Sequence, residues 1–277
     1  MPAEHSSSNN DQATLINRYP VITYFVLTFA ISWAGAFAVA ARHIFRHESL
    51  PKLTGVLMFP AMLLGPSFTG ILLTGLSHGK ASLRNLFSRM ARLRIPGRWY
   101  ATLLIPPILI FTVLTLLRLF ASSAYSPNLF WLGLFFAVPA GFLEEIGWMG
   151  YAFPEMTVKK SFFSSSILLG LLWSLWHLPV INFLGVATPH GDYWFAFFLA
   201  FSTAMTAMRV IICWIYTNTK SVLVAQLLHI CSTGSLIIYG ASHVTAAQEA
   251  LWYGVYGVTL WVVVGIIALR NPHLANA

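Results

Sequence analysis

Eight runs of about twenty apolar residues, each long enough to cross the hydrocarbon core of a bilayer, divide this chain at roughly 21–41, 54–78, 100–121, 129–152, 163–184, 194–216, 221–240 and 249–269. Lipid offers no partner to a backbone N–H or C=O, so runs of this length fold as helices. The expected fold is therefore all-α: a polytopic membrane helix bundle of about eight transmembrane helices. Composition agrees, because 57% of the residues are hydrophobic, only 9% are charged and the mean hydropathy is +0.72. A soluble domain carries about 25% charged residues.

Lys and Arg orient the bundle. One set of flanks holds Arg18, Lys80, Arg84, Arg89, Arg92, Arg94, Arg98, Lys159, Lys160, Lys220 and Arg270, against Arg42, Arg46, Lys52 and Arg118 on the other. Both termini are thus expected on the cytoplasmic side, with residues 1–20 as a polar disordered tail. The net charge of +8 does not point to nucleic acid, because six of the basic residues sit in the single loop 79–98. There Leu83, Leu86, Phe87, Met90 and Leu93 recur at helical spacing between the arginines, the pattern of an amphipathic helix on anionic lipids. Cys213 and Cys231 fall within spans, where a structural disulfide has no evident role. Nothing in the sequence specifies an oligomeric partner.

Against this background the polar residues inside the spans stand out. Of eight acidic residues, six fall at termini, loops or helix ends; Glu144 and Glu145, in "FLEEIGWMG", do not. A carboxylate at the bilayer centre is costly and is normally paired, hydrated or turned into a protein-lined cavity. A structural partner such as Arg209 accounts for one of them. His177 in "WSLWH" and His229 in "HICST" are the two of nine histidines that fall well inside spans. At 1.5 Å per residue, Glu144 and His229 each lie roughly 13 Å from the cytoplasmic end of their spans, and His177 lies at a similar depth. One histidine alone is more often a helix-to-helix hydrogen bond. A carboxylate and two imidazoles at one level can hold and deprotonate a water, or bind a metal that does so; a proton relay in a transporter uses the same residue types.

The spacing of these motifs resembles that of the CPBP (Abi) intramembrane proteases, the type II CAAX-processing endopeptidases and their prokaryotic relatives. Their pattern of Glu-Glu-x-x-x-Arg, Phe-x-x-x-His and His-x-x-x-Asn, each on its own helix, is matched by "EEIGWM", "WSLWH" and "HICST". The resemblance covers roughly residues 130 to 240 and divides the chain into an N-terminal tail (1–20), N-terminal helices with the basic loop (21–128), a protease-like core (129–240) and a last helix with a short tail (241–277). It implies an intramembrane endopeptidase in which Glu144 is the general base, His177 helps to hold the water, His229 and Thr233 stabilise the oxyanion, and Glu145 supports the site. It also implies two schemes for the water: coordination to Zn2+ or another divalent metal through Glu144, His177 and His229, or activation by glutamate without a metal.

The implied substrate is a membrane-anchored or prenylated (CAAX-type) protein or peptide, and the implied location is a prokaryotic plasma membrane. Three departures bear on this: Met149, Trp173 and Thr233 stand where the pattern has Arg, Phe and Asn. Trp173 keeps an aromatic wall and Thr233 keeps a donor. Met149 removes a guanidinium, for which Arg209 on the sixth span is a candidate replacement. The alternative expectation is a catalytically weakened relative acting as a membrane scaffold or bacteriocin-immunity-type protein.

Overall fold

A computed structural model describes residues 16–48, 50–184, 190–241 and 243–274. Every regular element among the described residues is helical. The long helices are α1 (Pro20–Phe45), α2 (Lys52–Met90), α3 (Arg98–Phe120), α7 (Trp194–Thr219), α8 (Val222–Tyr239) and α9 (Ala246–Arg270). Six helices among the described residues are thus long and apolar enough to cross a membrane, and the chain is a polytopic helical membrane protein. Between them lie α4 (Gly133–Gly147), α5 (Phe162–Trp176) and α6 (Leu178–Leu184). Residues 1–15 of the expected tail fall outside the described residues.

The two remaining expected spans are both interrupted helices. α4 runs into a π-helical turn, Trp148–Ala152, and then a short α-helix, Phe153–Thr157. The span expected at 163–184 is split at His177, which caps the C-terminus of α5. Pro179 lies just beyond; its ring crowds the carbonyl four residues back and it has no N–H, so a straight helix cannot continue through it. His177 therefore sits at a break between two helices, where its side chain leaves the regular surface of either.

α2 breaks as well, at Gly79, whose φ of 75° lies in the left-handed region that favours glycine. The break turns the basic segment away from the membrane-spanning part of α2. Its apolar face docks partly on protein: Leu86 is fully buried, whereas Phe87 is half exposed. α1 packs along α2, α4 along α8, and α7 between α5 and α9. A close crossing lies at Gly147, where an added Cβ would lie 2.2 Å from the Pro66 carbonyl oxygen and 2.3 Å from the Tyr24 hydroxyl. Small residues allow such backbone approach where lipid supplies no hydrophobic drive between helices.

Candidate active site

Three helices deliver the charged part of the polar core, and α5 adds Trp173 and His177. α7 and α8 are joined by Lys220, in the left-handed conformation, and Ser221, which caps α8 by accepting from the Val224 N–H. Arg209 precedes this turn by eleven residues and His229 follows Lys220 by nine, so each stands roughly 13–17 Å from it on antiparallel neighbours. α4 packs against α8 and brings Glu144 and Glu145 to the same level.

Adjacent in sequence, the two glutamates point into different surroundings. Glu145 is an ion-pair centre: Arg209 Nη1 donates to both of its oxygens, at 2.7 and 2.9 Å, and His229 Nδ1 lies 2.7 Å from Oε1. All three side chains are at most 1% exposed. Among the described residues Glu144 has no cationic partner within bonding distance. Its Oε2 accepts from the indole N–H of Trp173 at 2.7 Å and from that of Trp148 at 3.1 Å, while its Oε1 makes no hydrogen bond to protein. A carboxylate with one oxygen fixed by two donors and the other unengaged is oriented yet still free to accept a proton.

Trp173 is the hub. Its indole binds Glu144, its ring lies 4.1 Å under the Arg209 guanidinium, and its ring centroid is 5.1 Å from that of His229 and 5.3 Å from that of His177. Its backbone carbonyl accepts from His177 Nδ1 at 2.8 Å. That bond requires the proton on Nδ1, so a neutral His177 presents Nε2 as a lone pair. The expectation that Trp in place of Phe only preserves an aromatic wall is therefore corrected: phenylalanine has no N–H to give Glu144. Trp148, the second donor, is fully buried among Tyr24, Phe25 and Trp176, with centroids 5.6 to 6.0 Å away.

Glu145 has a guanidinium partner in Arg209, not in Met149. Met149 is wholly buried, and the guanidinium that binds Glu145 comes from α7. Thr233, one turn beyond His229 on α8, is half-buried and outside the hydrogen-bonded cluster. Arg89 is a residue that the sequence reading missed. It reaches from the basic segment to bond the Tyr216 hydroxyl and, through Nη2 at 2.8 Å, the Gly150 carbonyl within the π-helical turn. Leu86 packs against the same glycine. Its only sequence signal is the position of Arg89 among surface arginines, which gives no reason to single it out.

The residues as arranged do not fit a metal ion. Each histidine and Glu144 keep one donor atom free, as metal ligands do, but among the described residues no three His, Cys, Asp or Glu side chains are grouped closely enough to hold an ion. The arrangement can instead accept a proton at Glu144 Oε1, beside an Arg–Glu–His group able to balance developing negative charge.

Residues 126–235 match the family model described as "Type II CAAX prenyl endopeptidase Rce1-like". A curated relative, "CAAX prenyl protease 2" of Methanococcus maripaludis, is 37% identical over 100 residues, which are 35% of this chain and 36% of the relative. The match thus spans about a third of the relative's length. These findings support the kinship that the three motifs suggested.

Proposed function

We propose, from the premise that residues 126–235 are a domain of the Rce1-like type II CAAX prenyl endopeptidase family, that this chain is an intramembrane endopeptidase. Its substrate would be a membrane-associated or prenylated protein, cut roughly 13 Å in from the cytoplasmic end of the spans. The observation that carries this reading is the asymmetric Glu144, fixed at Oε2 by two indoles and unengaged at Oε1.

Glu144 Oε1 accepts a proton from a substrate water as the water oxygen bonds to the scissile carbonyl carbon. Electrons move onto the carbonyl oxygen, and His229, held by Glu145, donates through Nε2 to that oxyanion when its ring carries both protons. Glu144 then returns its proton to the departing amine nitrogen as the C–N bond breaks. His177 Nε2 accepts from the water and aims its lone pair. No step is routed through a metal. Arg209 supports the catalytic reading over a weakened scaffold, because it supplies the positive charge that Met149 does not.

The test is cleavage of prenylated CAAX peptides by purified wild type, Glu144→Gln, His177→Ala and His229→Ala, with metal content measured on the same samples. Wild-type cleavage lost in Glu144→Gln, with the melting temperature retained, is expected. Full activity in Glu144→Gln would overturn the mechanism, and a stoichiometric metal whose removal abolishes activity would overturn its metal-free form. The same peptides carried in membranes of a prokaryotic host, with accessibility labelling of the two termini, test a plasma-membrane location and the cytoplasmic placement of both ends.

A further inference from the structure

A cavity at the start of α1 holds none of the candidate active-site residues. It has a volume of about 450 Å3 and lies where the first turn of α1 meets the Phe153–Thr157 helix and its following turn, with Leu168 of α5 at its base. Its floor is apolar, formed by Val21, Ile22, Met156 and Leu168, and three cations line it: Arg18, Lys159 and Lys160. These come from two segments well separated in sequence, and all three are exposed. The lining holds one carboxylate, Glu155, which is bonded to His78 Nε2 at 2.8 Å, so the three cations outnumber the negative charge there. A second cleft of about 390 Å3 shares Tyr19 and Ile22 with the first and continues along α1 past Val26 to Leu27. From Tyr19 to Leu27 the apolar face extends roughly 12 Å, and Ile22 and Val26 are 62% and 61% exposed on it.

A cluster of positive charge opening onto an apolar channel complements an anionic head joined to hydrocarbon. We propose that this groove is a binding site for one anionic glycerophospholipid, its phosphate among Arg18, Lys159 and Lys160 and one acyl chain along Ile22 and Val26. The site has a route to the polar core. Its walls are α1 and the continuation of the helix bearing Glu144, and two residues beyond Ile22 the Tyr24 ring packs 5.6 Å from that of Trp148, which donates to Glu144. A lipid that ties these two elements together holds Trp148 in place.

The experiment is native mass spectrometry of the full-length protein, titrated with phosphatidylglycerol or phosphatidylcholine of the same chains, with inorganic phosphate as competitor. Wild type is expected to retain one phosphatidylglycerol more tightly than phosphatidylcholine by about tenfold or more, as three basic side chains at an anionic surface allow. The variant Arg18→Gln/Lys159→Gln/Lys160→Gln should erase that preference. A control removing equal charge from exposed positions on the opposite flanks, Arg42→Gln/Arg46→Gln/Arg118→Gln, should keep it. Ile22→Trp, which fills the channel and leaves the cations intact, should weaken phosphatidylglycerol by severalfold. Equal retention of the two lipids, or equal loss in both triple variants, would overturn the site. Displacement of the lipid by millimolar phosphate, or indifference to Ile22→Trp, would overturn its assignment to an intact phospholipid.

Discussion

Replacing Arg209 with methionine removes the guanidinium bonded to Glu145 while keeping an unbranched apolar stem in its place. Arg209 and Glu145 are both fully buried, and deleting one partner of a buried pair costs about 3–5 kcal/mol, because the other charge is left uncompensated. Two features adjust the figure in opposite directions. His229 stays bonded to Glu145 at 2.7 Å and can compensate by taking a proton, which favours the lower end. Loss of the contact 4.1 Å above Trp173 adds up to ~2 kcal/mol for a desolvated cation over an indole. A net loss of about 4 kcal/mol follows, or about 8–16 °C in melting temperature at 2–4 °C per kcal/mol for a chain of this size.

Thermal unfolding in detergent of Arg209→Met, Glu145→Gln and the double variant measures it. The double variant leaves neither charge behind, so its loss should fall short of the sum of the two single losses by about 2 kcal/mol or more. Additivity to within ~0.5 kcal/mol would refute a coupled pair. A single variant melting with wild type would refute burial of an uncompensated charge.

Trp173→Phe, which restores the residue of the family pattern, should lower cleavage by about tenfold or more, since a hydrogen bond to a charged group contributes about 1.5–3 kcal/mol; cleavage assays with matched melting curves check it. Gly147→Ala forces a methyl within 2.3 Å of both the Pro66 carbonyl and the Tyr24 hydroxyl and should cost about 3 kcal/mol of stability by overpacking, read as lower yield and melting temperature. Arg89→Ala leaves the Gly150 carbonyl without its 2.8 Å partner and should reduce cleavage severalfold by loosening the turn that carries Trp148; Arg89→Lys should recover part of it, whereas equal activity in wild type and both variants would place Arg89 outside the site. Met149→Arg alone should destabilise, because Met149 is fully buried and Glu145 already has its guanidinium.

Much of this protein is legible in one dimension because the bilayer imposes one-dimensional rules. Hydrocarbon thickness sets helix length, and unsatisfied backbone polarity leaves only helices or closed barrels, so uninterrupted apolar runs of about twenty residues yield an all-helical membrane bundle. The cost of charge in lipid singles out Glu144, Glu145, His177 and His229 with equal directness. Adjacency in sequence, however, does not say which glutamate faces which partner. Glu144 and Glu145 are about 100° apart around α4; the packing of α7 and α8 on one side gives Glu145 its arginine and histidine, and two tryptophans on the other fix Glu144. Trp173 reads as an aromatic filler until its N–H is seen against Glu144, and Arg89 as one surface cation among six until the break at Gly79 and the π-helical turn bring it to Gly150. Composition and periodicity determined which groups the membrane must hide. Tertiary packing alone decided what each was hidden against, because direction around a helix acquires chemical meaning only when a neighbour is there to be faced.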